Sequence, residues 1–275
     1  MQINNLCDHP LAAEATGLDT RADGWEAGIA AAFADHPVLC LRRQSLDADG
    51  YVAAMSRLGR PKKQLHQQYR HPERHEIMRL ASDQVDVKGD GRKIVIGTAW
   101  HTDDSYMAEP SAVTILQAEI LPASGGDTDF ADTRQAWDAL PEGRRREIEG
   151  LKVEHRYYSR RNVGKVAKRT PEEEAQTPPV HHPLVRTHPV TGRKALYLNP
   201  NRMHCVVGMP LDEGDALLDE LIAHATRPDF TYRHRWQDGD IVMWDNRCTM
   251  HRANHDYGDQ PRRMNRILLA GDRPV

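Results

Sequence analysis

The run Thr231-Tyr232-Arg233-His234-Arg235-Trp236-Gln237-Asp238-Gly239-Asp240-Ile241-Val242-Met243-Trp244 carries the strongest fold signal in this chain. Residues 231–236 and 241–244 alternate with period two, as extended chain does when one face is buried, and Gln237-Asp238-Gly239-Asp240 between them has turn chemistry. The stretch predicts a β-hairpin. Downstream, residues 267–270 read as a closing strand. Upstream, residues 184–187 and 195–198 flank the turn His188-Pro189-Val190-Thr191-Gly192, a second hairpin signal. Short β-branched or apolar segments at 37–41, 77–80, 94–96 and 112–120, bounded by Gly, Pro and Asp, complete the strand set.

Helices interrupt the strands. Residues 24–34 read helical; Asp47 caps a helix over 48–58 that stops at Gly59, with Pro61 beyond it. Helices are also predicted over 133–140, over 142–151 after Pro141, and from a cap at Asp212 to residue 225. Many antiparallel strands with a few inserted helices predict a mainly β fold, a double-stranded β-helix or jelly roll, in one domain over residues 1–275. Residues 160–179 are dense in Lys, Arg and Glu and end in Pro178-Pro179, which reads as a mobile lid or a solvated surface loop.

Composition narrows the partners. Lys+Arg of 37 against Asp+Glu of 40 gives a formal charge of -3, and no basic block exists to track a phosphate backbone, so nucleic acid is excluded as a partner. No apolar run approaches the ~20 residues that a bilayer helix needs, which argues against a membrane partner. Cys7, Cys40, Cys205 and Cys248 form no closely spaced pair, and no leader pattern follows Met1, so a reducing cytoplasm is expected.

The chemistry concentrates in Trp100-His101-Thr102-Asp103. On an extended chain His101 and Asp103 point to the same side, so one imidazole and one carboxylate can reach a single ion. A facial triad of two histidines and a carboxylate needs a second imidazole, for which His251 is the candidate, and it leaves coordination positions open for a co-substrate and O₂. Taken alone, a His beside an Asp among 15 histidines is more often plain surface solvation. An anion receptor changes the balance: Thr128 follows Gly125-Gly126-Asp127, and Arg262 and Arg266 occupy a strand-like segment after His251. A dicarboxylate that chelates iron through its keto-acid end needs its far carboxylate neutralised, which an arginine fork and a hydroxyl achieve by charge-assisted hydrogen bonds. A solvated strand face is the bland reading for one of the two arginines. Trp244, Asp245 and Asn246 read as structural support for the ligand that follows them, and Cys248 as a small buried hydrophobe.

The chain resembles the taurine dioxygenase and 2,4-dichlorophenoxyacetate dioxygenase family of iron(II)/2-oxoglutarate oxygenases. The resemblance rests on Trp100-His101-Thr102-Asp103, Gly125-Gly126-Asp127-Thr128, Arg186-Thr187-His188-Pro189, Gly192-Arg193-Lys194, Trp244-Asp245-Asn246-Arg247 and His251, and spans residues 30–272. It implies a clavaminate synthase-like jelly roll, Fe(II) held by His101, Asp103 and His251, and 2-oxoglutarate held by Thr128 and Arg262. It also implies that Arg266 contacts an anionic substrate and that 2-oxoglutarate and O₂ are consumed to hydroxylate a C–H bond, with succinate and CO₂ released. Assembly as a homodimer or homotetramer is what such relatives imply.

The substrate reading is a small organic anion: an aryloxyalkanoate, an alkyl sulfonate or an alkyl sulfate. Hydroxylation beside the ether oxygen or sulfur then leads to C–O or C–S cleavage. Gly97 stands where the taurine-type motif carries a substrate-touching asparagine, and Asp104-Ser105-Tyr106 looks nearer the phenoxyacid branch. His66 loosely matches a pocket histidine of the sulfonate branch, but it shares a polar loop with His71 and His75, where solvation is as good a reading. Asn201 is a further pocket candidate. Because related halogenases replace the carboxylate ligand, Asp103 favours hydroxylation. The rival readings are a biosynthetic hydroxylase or desaturase of an amino-acid-like or natural-product substrate, and a non-catalytic metal-binding jelly roll.

Overall fold

The computed structural model describes residues 1–64, 67–85, 91, 96–162 and 168–275. The chain opens with β1 (Gln2–Asn5), β2 (Ala12–Thr16), α1 (Glu26–Asp35), β3 (Val38–Leu41) and α2 (Ala48–Ser56). α2 begins where predicted because the Asp47 carboxylate accepts from the Gly50 amide at 2.7 Å, satisfying one of the first-turn donors that a helix leaves unpaired. β4 (Met78–Ala81), β5 (Ser111–Ile120) and β6 (Thr128–Asp132) lead into α3 (Thr133–Asp138) and α4 (Glu142–Ile148). Next come β7 (Lys152–His155), α5 (Pro171–Ala175), β8 (Val180–Pro183), β9 (Val185–Thr187), β10 (Lys194–Leu196), β11 (Met203–Val206) and α6 (Leu211–Ala225). β12 (Thr231–His234), β13 (Ile241–Asp245), β14 (Thr249–Ala253) and β15 (Arg263–Ala270) close the chain.

Seven strands form a large sheet in the order β1-β2-β3-β13-β5-β15-β4, and β12-β6-β14 form a smaller one. The two sheets share an apolar layer in which Leu116, Val242, Trp244 and Met264 of the large sheet meet Phe130 of the small one. The Phe130 ring stands edge-on to Trp244 at 5.3 Å, the arrangement that places a positive ring edge on a negative face. On its other side the large sheet is covered by α1 and α2, through Ile29, Phe33, Tyr51 and Met55. A third apolar cluster joins α3 and α6 to the sheet β11-β7-β8 and the hairpin β9-β10, which is the hairpin predicted around His188.

The segment at 231–244 does not form the predicted hairpin. β12 pairs with β6 in the small sheet, whereas β13 pairs with β3 and β5 in the large one. The Asp240 carboxylate explains the corner: its Oδ2 accepts from the Gln237 amide at 2.9 Å and from Arg42 at 2.6 Å, and lies 3.2 Å from His234 Nε2. Alternation reports which face of a strand is buried and says nothing about which strand lies beside it. A smaller correction concerns α6, whose N-cap is Pro210; Asp212 lies within the first turn, where its charge complements the helix dipole. In the predicted strand at 94–96, residues 94 and 95 lie outside the described residues, as do residues 163–167 of the predicted lid. Within that span α5 is closed by a capping box between Thr170 and Glu173.

His155, His182 and Tyr197 bring their rings within 5.4–5.9 Å of one another in the buried region behind β7 and β8. Burial lowers both imidazoles, His182 to about 4 and His155 well below its ordinary value. A depressed folded-state value means that the unfolded chain takes up protons first as pH falls, so stability is complete above the ordinary value of ~6.5 and declines toward about 4. His182 alone corresponds to a loss on the order of 3 kcal/mol across that window. Thermal melts of His182→Gln are expected to fall less between pH 7 and 4.5 than those of the wild type, and parallel slopes would refute the assignment.

Candidate active site

Two backbone hydrogen bonds build the centre of the site. The His101 amide donates to His251 O at 3.0 Å and the His251 amide returns the bond to His101 O at 2.8 Å, so the segment before Asp103 lies along β14 as a further strand-like edge. Ala253 N donating to Gly97 O at 2.7 Å continues the pairing. Residues 150 positions apart in the chain are thereby set side by side, with ring centroids 4.0 Å apart. Asp103 joins them: one donor atom from each of His101, Asp103 and His251 lies within 4.8 Å of the others.

Each ring has a nitrogen free for a ligand. His101 Nδ1 sits 2.8 Å from Ala99 O, which fixes it as the protonated nitrogen and leaves Nε2 with a lone pair. His251 turns Nε2 toward Asp103 Oδ2 at 3.7 Å. Burial, aided by the cationic neighbours Arg202 and Arg266 at His101, lowers both imidazoles, so both are neutral near pH 7. Asp103 stays ionised: burial pushes its carboxyl up, but Arg266, His251, His101 and the Thr114 hydrogen bond together outweigh that and hold it below the carboxylate range. Two neutral imidazoles and one carboxylate facing a common point are a donor set suited to a divalent first-row metal.

The support for Asp103 comes from Thr114, which motif reading did not find, and from Asn246 and Arg266, which it did. Thr114 Oγ1 donates to Asp103 Oδ2 at 2.6 Å and accepts from Asn246 Nδ2 at 2.7 Å, so the amide fixes the direction in which the hydroxyl proton points. Asn246 Oδ1 also faces the Asp103 amide at 3.3 Å. Asn246 therefore braces Asp103 across the sheets, in addition to preceding His251 in the chain. Arg266 Nη1 donates to Asp103 Oδ1 at 3.1 Å. Asp104 adopts a left-handed backbone with φ 57, and Lys62, Ser111 and Tyr106 all donate to its carboxylate. From the opposite side Asn199 Nδ2 donates to Thr102 O at 2.6 Å and to Ser105 Oγ at 2.9 Å. Loss of such an outer brace costs 10–100-fold in metal affinity as a rule. Asn246→Ala is expected to weaken Fe(II) binding by roughly that factor, read by equilibrium dialysis, and unaltered affinity would refute the brace.

Two glycines are required by contact. Gly97 has φ +82, and a Cβ there would come 3.2 Å from His101 Cε1, so any side chain would press on that imidazole. Gly126 has φ +74 and would place a Cβ 3.0 Å from Arg262 Nε, which donates to Gly126 O at 3.1 Å. Arg262 is buried and, among the described residues, has no ion pair; Asp127 and Asp256 nearby are taken by Arg233. Burial accordingly lowers its guanidinium from the ordinary value. Thr128 is buried at the start of β6, its hydroxyl accepting from Trp236 Nε1 at 3.0 Å. Asn201 sits half-buried in the turn before β11, and His66 lies outside the described residues.

Two other buried clusters have metal-binding residue types, Cys40 with His234 and Asp240, and His188 with Asp245 and Cys248. In both, the carboxylate already has internal partners. Asp245 is gripped by both Arg247 nitrogens and by His188, Asp240 by Arg42 and His234, and burial keeps both cysteines as thiols.

Residues 8–268 match the model of the taurine catabolism dioxygenase TauD, TfdA family. The chain belongs to that family. It is 36% identical over 245 residues to the alpha-ketoglutarate-dependent 2,4-dichlorophenoxyacetate dioxygenase of Burkholderia sp. (strain RASC), covering 86% of this chain and 82% of that one. A taurine dioxygenase from Burkholderia xenovorans superposes with a TM-score of 0.83 at 31% identity, over 100% of this chain and 92% of that one. The structure of AAD-2 in complex with Mn(II) and N-oxalylglycine gives 0.79 at 34% identity, over 99% and 98%. The family's enzymes are alpha-ketoglutarate-dependent oxidoreductases, their fold is a jelly roll, and this chain is a dioxygenase of that type with a small-molecule substrate. Among the described residues no helix is long and apolar enough to cross a membrane.

Proposed function

We propose that this dioxygenase uses Fe(II), 2-oxoglutarate and O₂ to hydroxylate a small organic anion, an aryloxyalkanoate, alkyl sulfonate or alkyl sulfate. The convergence of His101, Asp103 and His251 within 4.8 Å carries the reading, supported by the buried Arg262, which has no ion pair among the described residues. In it, the three residues hold the metal, and Thr128 with Arg262 receives the far carboxylate of 2-oxoglutarate. When bound, the iron supplies O₂ activation coupled to decarboxylation of the co-substrate. The chain's own residues keep both imidazoles neutral, hold Asp103 ionised, and exclude water by burial.

Arg266 donates to Asp103 Oδ1, and its buried Nε has no hydrogen-bond partner among the described residues, which suits it to a polar group of substrate close to the metal. Gly97, on the far side of His101, leaves room beside that ring. Asn201 and His66 remain pocket candidates from the resemblance. The finer fold reading is a clavaminate synthase-like jelly roll in one domain, with the lid at 160–179 carried over from the sequence reading. A cytoplasmic setting agrees with four free cysteines, and a homodimer or homotetramer is carried over from the resemblance.

The test is succinate formation by the Fe(II)-loaded protein in the presence of aryloxyalkanoates, alkyl sulfonates and alkyl sulfates. One class is expected to raise succinate well above the rate without substrate. No stimulation by any of the three would refute the substrate reading, and no 2-oxoglutarate consumption at all would refute the activity.

A further inference from the structure

Arg169 is a buried cation with no counter-ion among the described residues. Its side chain is 8% exposed, it makes no ion pair among the described residues, and both Nε and Nη2 are buried without a hydrogen-bond partner. It is nevertheless held in place: Nη1 donates to Thr177 Oγ1 at 2.7 Å, and its amide donates to the Tyr158 hydroxyl at 3.1 Å. Its guanidinium lies 3.9 Å from the centre of the Tyr157 ring. A second guanidinium, that of the half-buried Arg202, lies 4.4 Å from the same centre; it donates through Nη1 to Tyr157 O and has no ion pair among the described residues. Both stand 5.3 Å from the ring of Tyr106.

This pair borders the metal site. The Tyr106 hydroxyl donates to Asp104, the neighbour of Asp103. The Arg202 amide donates to Asn199 O at 2.9 Å, and the Asn199 side chain holds Thr102 O. A desolvated guanidinium is costly unless an anion accepts from it, and two gathered at one aromatic ring repel each other as well. The Tyr faces offset part of that cost through cation–π attraction, which leaves the Nε and Nη2 donors of Arg169 without an acceptor. Planar N–H forks with no acceptor are complementary to a carboxylate, sulfonate or sulfate.

We propose that Arg169 and Arg202 form a receptor for the oxyanion of the substrate, so that anion selectivity is read from the α5 and β11 side of the pocket as well as at Arg266. This rests on the oxygenase reading above and specifies how its substrate class is recognised. Tyr106 and Tyr157 act as positioning residues that stack the two forks and set their spacing.

The protein loaded with Mn(II) and N-oxalylglycine is titrated calorimetrically with phenoxyacetate, an alkanesulfonate, an alkyl sulfate and the neutral phenoxyacetamide. Which anion binds distinguishes carboxylate, sulfonate and sulfate. Arg202→Gln and Arg169→Gln are expected to cut the affinity ratio between the preferred anion and the amide by at least about tenfold, with Arg202→Lys restoring part of it. The lysine variant also serves if a glutamine variant does not fold. An unaltered ratio in every folded variant overturns the receptor while leaving the oxygenase reading standing. Wild-type protein that binds none of the three anions, and makes no anion-stimulated succinate, overturns both.

Discussion

Replacing His251 with alanine is expected to remove substrate-dependent succinate formation by roughly a thousandfold or more, since a ligated metal supplies several kcal/mol of transition-state stabilisation and each 1.36 kcal/mol is tenfold in rate. The variant is informative because the backbone pairing that places residue 251 does not depend on the ring. The two bonds that join His101 to His251 run between backbone atoms and survive truncation at Cβ. A folded protein with little bound Fe(II) is therefore expected, measured by metal content after dialysis and by a thermal melt. The comparison is His188→Ala, in the cluster with Asp245 and Cys248, where arginine and histidine hydrogen bonds already occupy the carboxylate; its metal content is expected to match the wild type. Wild-type metal content in His251→Ala, or loss of metal in His188→Ala, would show that the metal site has been placed wrongly.

The second large effect belongs to Arg262. Removing one partner of a buried, hydrogen-bonded charge pair costs about 2–5 kcal/mol, so Arg262→Met is expected to raise the KM for 2-oxoglutarate by roughly 30-fold to several thousandfold. Stability is expected to move the other way or not at all. Arg262 has no ion pair among the described residues, so methionine strands no carboxylate and removes a desolvated charge. A raised KM together with an undiminished melting temperature is the signature of a residue kept for a ligand. A normal KM would remove the anion receptor from the proposal. A large drop in melting temperature would assign Arg262 to the fold instead.

The sequence was informative where one local rule decides. The Asp47 cap, the hairpin around His188, the long strand that became β5 and the pairing of His101 with Asp103 each depend on neighbours within a few residues. The segment at 231–244 marks the limit. Its pattern marked two strands, yet β13 is buried on both faces, and a buried carboxylate at Asp240 turns the chain from one sheet into the other, drawing on Arg42, almost two hundred residues away.

The amino-acid order by itself determined the residue types that can do the chemistry: two histidines, an aspartate, a threonine and two arginines, in an order matching an oxygenase family. Only the tertiary structure decided how they are held and what else stands beside them. Asn199 and Asn246 brace the loop that carries His101 and Asp103 through contacts between residues far apart in the chain, and Arg169 meets Arg202 over one tyrosine. Motifs record chemistry that local spacing constrains, whereas a hydrogen bond across two sheets depends on register and on a strand order that no short stretch encodes.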